Sequence, residues 1–199
     1  MKSRAFFITG KPACGKDTQA NLLAKRFGLI KIDSSGLIRN FFSRFKGKKI
    51  LVGGLIVDLK REKEKYQKGE LASHRFVGHL IANQIKSSFK LGQSIVIAGS
   101  PRSLIEAKVE LKALIETYGQ GDFFIFYLKV NNQVVQARSI LRNRSDQLDR
   151  PAVFKKRLSV FKKEVWPGLV YLKSKKSLIE INGQGREREV FKRLIEKIN

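Results

Sequence analysis

Short, continuously apolar runs alternate along the chain with longer segments in which apolar residues recur every three or four positions. The continuous runs occupy residues 5–8, 29–32, 94–98, 122–130 and 177–181. Runs of this length without polar alternation are typical of strands that are buried on both faces of a parallel sheet. The pattern therefore predicts five strands.

The segments between these runs have helical spacing; in the first of them, Leu22, Leu23 and Phe27 fall on one face. Helices are predicted at residues 18–27, 37–45, 71–89, 104–118, 131–142, 151–172 and 186–198. Pro167 is expected to kink or break the sixth of these helices. Strands that alternate with helices predict an α/β fold of three layers, with a mainly parallel five-stranded sheet and right-handed crossovers.

One region departs from this alternation. Residues 34–89 contain little strand signal, and residues 55–68 within them are charged and compatible with a helix. We therefore expect a helical lobe inserted into a single domain. The expected division is a core of residues 1–33 and 90–199, a helical lobe at about 34–89 and a short loop at about 143–150, all within one domain of residues 1–199.

Composition adds a strong charge imbalance. The chain has 41 Lys and Arg against 17 Asp and Glu, and this formal net charge of +24 indicates either a generally basic surface or contact with a polyanion. The basic residues are spread along the chain and do not cluster with aromatic residues. This disfavours a dedicated nucleic-acid-binding module and leaves nonspecific contact with RNA or another polyanion.

The sequence also bears on the cellular compartment. No apolar run approaches the length of a membrane span, so we expect no membrane contact. The single cysteine, Cys14, excludes an internal disulfide and agrees with a reducing compartment. We therefore expect a cytoplasmic protein that acts as a monomer. His74 and His79 are expected to be surface or half-buried residues without a catalytic role, and Trp166 and the phenylalanines are expected in the core.

The first apolar run leads directly into a glycine-rich loop, GKPACGKDT at residues 10–18, and then into a helix. A G-x-x-x-x-G-K pattern between a strand and a helix is typical of a phosphate cradle. Its glycines let backbone N–H groups point inward, the helix N-terminus adds partial positive charge, and Lys16 can reach the outer phosphates. The loop therefore predicts a bound nucleoside triphosphate.

Four further motifs follow this loop in order. Residues 32–39 read IDSSGLIR, residues 69–71 read GEL, residues 98–103 read AGSPRS, and three arginines follow at Arg138, Arg142 and Arg157. With GKPACGKDTQ, this series resembles the motifs G-x-P-G-x-G-K-G-T-Q, I-S-T-G-D-L-L-R, G-K-L, D-G-F-P-R-T and the lid-side arginines of the adenylate kinase branch of the nucleoside monophosphate kinases. The resemblance covers nearly the whole chain, and the short segment 143–150 resembles the short-lid members.

The resemblance implies transfer of the terminal phosphoryl group of ATP to a nucleoside monophosphate, with Mg²⁺ accompanying ATP. Its implied catalytic residues are Lys16, Arg102, Arg142 and Arg157. Its implied ATP-binding residues are Gly10, Pro12, Ala13, Cys14, Gly15, Lys16, Asp17, Thr18, Arg138 and Gly185. Its implied acceptor-binding residues are Ser34, Arg39, Leu71, Gly99, Arg102 and Glu106. The 34–89 lobe would then bind the acceptor.

Two departures from the family pattern and one from the usual phosphate loop affect this interpretation. Glu106 stands where the family has a glutamine that reads the acceptor base, and an ionised carboxylate suits the adjacent N–H groups of guanine better than adenine. Ala98 replaces an acid that the family uses near magnesium. Asp17 stands where phosphate loops usually carry a hydroxyl that ligates magnesium.

We hypothesise that Asp17 positions Mg²⁺ through water in place of the acid that is missing at Ala98. The alternative is that Asp17 is only a capping or first-turn acid, stabilised by the helix dipole. For the whole protein, the alternatives to an adenylate kinase are a kinase for GMP, CMP or UMP, and a catalytically weak phosphate-loop protein that binds nucleotide or RNA.

Overall fold

The computed structural model describes residues 3–67, 72–142 and 149–198. Its strands are β1 (Ala5–Gly10), β2 (Ile30–Asp33), β3 (Lys49–Val52), β4 (Leu55–Asp58), β5 (Ile95–Ala98), β6 (Phe123–Lys129) and β7 (Ile179–Asn182). Its helices are α1 (Lys16–Phe27), α2 (Ser34–Arg44), α3 (Leu59–Gln67), α4 (His74–Lys90), α5 (Leu104–Thr117), α6 (Asn132–Arg142), α7 (Pro151–Val160), α8 (Trp166–Ser174) and α9 (Glu187–Ile195).

The central sheet has five strands in the order β2-β5-β1-β6-β7, and every neighbouring pair is parallel. Along β1, alternate residues enter two separate cores. Phe7 belongs to the core that also contains side chains of α4, α5 and α8, whereas Phe6 and Ile8 belong to the core with α1 and α9. The predicted three-layer α/β fold with a parallel five-stranded sheet is confirmed.

The expectation of a helical lobe with little strand signal over residues 34–89 is wrong for residues 49–58. There, β3 and β4 form an antiparallel hairpin whose two-residue turn is Gly53-Gly54, with φ of 55° and 81°. Two consecutive positive φ angles are the geometry of a tight hairpin turn, and only glycine adopts them without strain. Val52 and Val57 are buried, while the paired Leu51 and Ile56 face outward. In the sequence, the hairpin is indicated by Gly53-Gly54 between two mainly apolar four-residue runs. Helix α3 begins only after the hairpin.

The helical path does not break at Pro167, and the irregular turn lies before the proline. The backbone passes from α7 into α8 through a π-helical turn at Phe161–Val165, and Pro167 lies in the first turn of α8. A first-turn residue needs no N–H for the helix, so the proline is tolerated there. The continuous helical path carries this segment along one face of the sheet. Within the described ranges, no helix combines the length and the apolar character needed to cross a bilayer.

Candidate functional site

The glycine loop makes a tight turn between β1 and α1, as the sequence predicts. Gly10 has φ of 154°, and a Cβ on it would lie 2.7 Å from Cys14 Sγ and 3.0 Å from the carbonyl oxygen of Leu128, so no larger residue fits. Gly15, with φ of 96°, is the N-cap of α1. Because glycine has no side chain to cap the helix, the first-turn N–H groups of α1 can serve an anion.

Ala13 has φ of 60°, a left-handed backbone angle that is unfavourable for any residue with a Cβ. It occupies the loop position where the family motif has its second glycine. The loop thus holds a strained residue at its turn. Strain of this kind persists only where the surrounding structure fixes the backbone.

A cavity of about 380 Å³ lies in front of this loop. Its walls include most of the predicted ATP-binding residues: Ala13, Cys14, Gly15, Lys16, Asp17, Thr18, Arg138 and Gly185. Gly10 and Pro12 shape the loop behind these walls. We call this space the donor cavity.

Arg138 connects two sides of the donor cavity. Its guanidinium donates to the carbonyl oxygens of Cys14 (3.2 Å), Gly183 (3.2 Å) and Gly185 (3.0 Å). The glycine loop is therefore tied to the segment between β7 and α9. The Cys14 side chain itself is buried, and burial raises the pKa of its thiol, so it acts as a packing residue and not as a nucleophile.

Three predicted residues from different elements meet around Gly99, which follows β5. A Cβ on Gly99 would lie 3.4 Å from Lys16 Cε, 3.7 Å from Arg102 Nη2 and 3.9 Å from Ser34 Oγ. Arg102 Nε donates to the Gly99 carbonyl oxygen (2.8 Å), and its Nη2 donates to Ser34 Oγ (2.9 Å). The carboxyl ends of neighbouring parallel strands thus bring the phosphate-loop lysine beside the predicted acceptor arginine.

Arg39 is exposed to solvent in the middle of α2. It donates to Asp33 Oδ2 at 3.5 Å, and Asp33 also accepts from the N–H groups of Ser35 and Gly36 as the N-cap of α2. Leu71 and residues 143–148 of the short loop lie outside the described residues.

The two predicted lid-side arginines meet at a carboxylate that sequence reasoning did not single out, Asp149. Arg142 holds it with two hydrogen bonds, Nε to Oδ2 (2.8 Å) and Nη2 to Oδ1 (2.6 Å). Arg157 Nη1 lies 3.9 Å from the same Oδ1, and Ser139 Oγ donates to it at 3.1 Å. Asp149 is buried. The sequence offered one sign of this contact: Asp149 is an acid in a basic segment, between the two helices that carry Arg142 and Arg157.

Glu106 is buried, with an exposure of 1%. Its Oε1 lies 2.7 Å from His74 Nδ1, and its Oε2 accepts from the backbone N–H of Arg102 at 2.8 Å. An acceptor base that reached this carboxylate would have to share its oxygens with partners inside the protein. Base recognition by Glu106 stays a prediction, but the structure gives the carboxylate a role inside the protein.

His74 is half-buried, as expected, and has two acidic partners that the sequence did not indicate. It stands at the start of α4, and its Nε2 lies 3.5 Å from Glu164 in the π-helical turn. The hydrogen bond to Glu106 raises the pKa of His74, although its partial burial acts in the opposite direction. His74 therefore links three elements, and no spacing pattern could reveal a partner 32 residues away.

A second buried carboxyl group, that of Glu110, lies on helix α5, which also carries Glu106. Glu110 is buried, and Ser100 Oγ donates to its Oε1 at 2.6 Å, whereas no group in the described part of the chain bonds its Oε2. Burial raises the pKa of Glu110 well above its usual value, and the charge of Glu106 raises it further. Burial thus favours the protonated form of Glu110 inside the fold.

The donor cavity has oxygen groups of the kind that Mg²⁺ prefers. Asp17 is exposed in the first turn of α1, and Thr18 follows it on the cavity wall. No group of three or more His, Cys, Asp or Glu side chains capable of holding a metal occurs among the described residues. Because Mg²⁺ is usually held by one or two carboxylates together with substrate phosphates and water, the cavity fits an ion that arrives with the nucleotide. Asp17 is a first-turn acid and not the N-cap.

Comparisons with known proteins agree with this geometry. A sequence model of the family described as "Adenylate kinase" matches residues 8–177. An adenylate kinase from Prochlorococcus marinus strain MIT 9211 is 30% identical over 192 residues, covering 96% of this chain and 94% of that protein. An adenylate kinase from another strain of Prochlorococcus marinus is 29% identical over the full length of both chains. One from Encephalitozoon cuniculi is 24% identical over 98% of this chain and 97% of its own.

Proposed function

The chain belongs to the adenylate kinase family, and we propose that it transfers the terminal phosphoryl group of ATP to AMP through the residues around Gly99 and the donor cavity. It is a phosphotransferase and a nucleoside monophosphate kinase of the adenylate kinase type. The reaction is reversible and yields two ADP molecules. The observation that carries the assignment of the site is the meeting of Lys16, Arg102 and Ser34 at Gly99.

In the proposed mechanism, the glycine loop and Lys16 hold the outer phosphates of ATP. Arg102 holds the acceptor phosphate on the other side of Gly99, with Arg39 at the entrance from α2. Phosphoryl transfer needs little covalent help and depends on alignment and on positive charge around the equatorial oxygens. The position of Lys16 and Arg102 around Gly99, each within 4 Å of a Cβ built there, supports an arrangement in which donor and acceptor phosphates face each other.

Arg142 and Arg157 are proposed to close over the transferring group. Asp149 is their positioning residue, because it holds Arg142 through two hydrogen bonds and draws Arg157 toward the same oxygen. A preorganised arginine can contribute on the order of a thousandfold to the rate of phosphoryl transfer. Arg138 lies deeper in the donor cavity, where its planar guanidinium would pack beside the base of ATP.

The acceptor base is proposed to be adenine. The guanine alternative uses the Glu106 carboxylate for the base, whereas this carboxylate is buried, accepts from Arg102 and contacts His74, which supports a role inside the protein. Ser34, Gly99 and Leu71 are proposed to complete the acceptor pocket, with the 34–89 lobe covering it.

Mg²⁺ is proposed to accompany ATP, with Asp17 holding the hydrated ion next to Lys16. When bound, the ion would neutralise charge that develops on the transferring phosphates. Asp17 lies one residue beyond Lys16 on the cavity wall, which suits a water-mediated contact.

We further propose that the protein works as a monomer in the cytoplasm, as part of nucleotide biosynthesis. The single cysteine supports a reducing compartment. Nonspecific contact with RNA is proposed as a side effect of the net charge of +24, and such contact should weaken as salt increases.

A coupled assay with ATP and a panel of AMP, GMP, CMP, UMP and dTMP tests this function. We expect turnover with AMP to exceed turnover with every other acceptor by at least about tenfold, a ratio that corresponds to about 1.4 kcal/mol. A preference for GMP would restore the direct role of Glu106. Absence of turnover with any acceptor, together with salt-sensitive RNA binding, would contradict the kinase function in favour of the phosphate-loop binding protein.

A further inference from the structure

A second and larger cavity, of about 920 Å³, lies at the carboxyl ends of β6 and β7, on the side of the sheet that faces α7, the π-helical turn and α8. It shares no lining residue with the donor cavity. In the segment after β7, Asn182 and Gln184 line the larger cavity, whereas Gly183 and Gly185 line the donor cavity. Alternate residues of one extended segment thus form a common wall between two separate spaces. We call the larger space the edge cavity.

One side of the edge cavity is aromatic. The rings of Tyr127 and Phe161 are nearly parallel, with centroids 6.5 Å apart and an interplanar angle of 16°. Trp166 meets Tyr127 edge to face at 6.0 Å. The expectation that Trp166 belongs to the core is wrong, since the side chain is 45% exposed. Trp166 lines the cavity and is only partly covered, so part of its indole is available to a planar group.

The rest of the edge-cavity lining includes polar and positively charged groups next to these rings. Lys11 lies there and donates to the carbonyl oxygen of Val130 (2.9 Å) and to Asn132 Oδ1 (2.7 Å). Lys129 and Lys162 add two exposed ammonium groups. The one acid of the lining, Glu180, is bonded by Lys173 from outside the cavity at 2.8 Å as well as approached by Lys129 at 3.6 Å. The net charge of this part of the lining is therefore positive.

We propose that the edge cavity binds a nucleoside phosphate at a site separate from the ATP and AMP sites. The base would stack against the exposed part of the Trp166 indole, and the phosphate would lie among Lys11, Lys129 and Lys162. The volume lies within the range of roughly 300–1,000 Å³ that is usual for small-molecule sites. Aromatic stacking and ammonium groups are the two features that recognise a base and its phosphate together.

Trp166 makes this site directly observable, because it is the single tryptophan of the chain and lines only the edge cavity. ADP is titrated into the Lys16→Met variant, in which the phosphate loop is impaired, while the indole emission is recorded at an excitation wavelength that adenine does not absorb. We expect a saturable loss of emission. Adenosine alone and inorganic phosphate alone should give weaker responses, since each supplies one half of the recognised group.

A matched pair of charge reversals separates the edge cavity from every other nucleotide site. Lys162 lines the cavity, and its neighbour Lys163 is likewise exposed in the same π-helical turn but lies outside the lining. Lys162→Glu is expected to raise the half-saturating ADP concentration about tenfold, whereas Lys163→Glu should leave it within about twofold. The pair is also compared in the otherwise unchanged chain, so the result does not depend on how Lys16→Met folds.

The outcomes are distinct. No saturable change in Trp166 emission, or equal affinities for Lys162→Glu and Lys163→Glu, would overturn the proposal. A short single-stranded oligonucleotide as a second probe identifies the source of the nucleoside phosphate: tighter binding than ADP indicates a nucleotide within a strand, and weaker binding indicates a free nucleotide. The site does not rest on the kinase function, because a failed kinase assay with an intact Trp166 response would contradict only the latter.

Discussion

The donor and acceptor sides of the site are built in different ways. The donor side is a contiguous loop whose shape follows from its own backbone angles, with Gly10, Ala13 and Gly15 all at positive φ. The acceptor side is assembled from distant segments: Arg102 bonds Ser34 across 68 residues, and Glu106 contacts His74 across 32. A local sequence motif therefore predicts the structure of the donor side. The meaning of one substituted residue on the acceptor side depends on partners that lie far away in the sequence.

The largest expected effect concerns the donor side and follows from removal of the Lys16 charge. Lys16→Met should lower kcat/KM about a thousandfold, because the charge on the outer phosphates is lost at the point of transfer. Lys25→Met, at the exposed far end of the same helix, is the control and should retain activity within about twofold. A loss below tenfold for Lys16→Met, measured with ATP and AMP in a coupled assay, would show that the loop backbone alone holds the donor.

The next prediction tests whether Asp17, on the donor side, positions Mg²⁺. Asp17→Asn should raise the Mg²⁺ concentration for half-maximal rate about tenfold, because one carboxylate near the hydrated ion is removed. Glu187→Gln is the control, since Glu187 is likewise a first-turn acid on the wall of the donor cavity. If the two variants share one magnesium dependence and differ only in thermal stability, Asp17 acts through the helix dipole alone.

On the acceptor side, the buried acids predict a pH dependence of stability. A carboxyl group with a raised pKa binds its proton more tightly in the folded state, so folding loses stability as pH rises from the unfolded pKa toward the folded one. Glu110→Gln removes this loss. Its melting temperature should exceed that of the parent chain by about 3 °C or more at pH 8, and the difference should shrink toward pH 4.

The control for that measurement is on the same helix. Glu116 is exposed, and its hydrogen bond with Lys86 lowers its pKa, so Glu116→Gln should change the melting temperature slightly and in the opposite direction. His74 changes the pH dependence of stability in the same direction as Glu110. Its raised pKa gives stability that is present below the usual histidine pKa of 6.5 and is lost at higher pH. A Glu110→Gln effect that is independent of pH would contradict the raised pKa of Glu110.

The smallest expected effect concerns the backbone of the donor loop. Ala13→Gly should stabilise the protein by about 1 kcal/mol, or about 2–4 °C in melting temperature, because glycine adopts the φ of 60° without strain. Ala24→Gly, within helix α1, is the control and should destabilise by a similar amount. Equal signs for the two substitutions would show that Ala13 is not strained.

The sequence predicted what depends on local patterns. The five strands, the glycine loop and the meeting of Lys16 with the 99–102 segment follow from apolar runs and from the rule that parallel strands present their carboxyl ends at one edge. The β3–β4 hairpin was missed because the charge of its flanks suggested a helix, although Gly53-Gly54 marked the turn. Asp149 and His74 were missed because their partners are defined only by tertiary contacts.

The β3–β4 hairpin also bears on how copies of this chain behave at high concentration. In the part of the chain that the structure describes, its two strands pair only with each other, so both have an unpaired outer edge, and the apolar pair Leu51 and Ile56 faces solvent at 67% and 72% exposure. Open edges of this kind invite pairing between molecules, and flanking lysines prevent it by repulsion. Lys48 and Lys49 lie at this edge. Their positive charge would therefore help to keep copies of the chain apart without any polyanion, and added salt would weaken this repulsion.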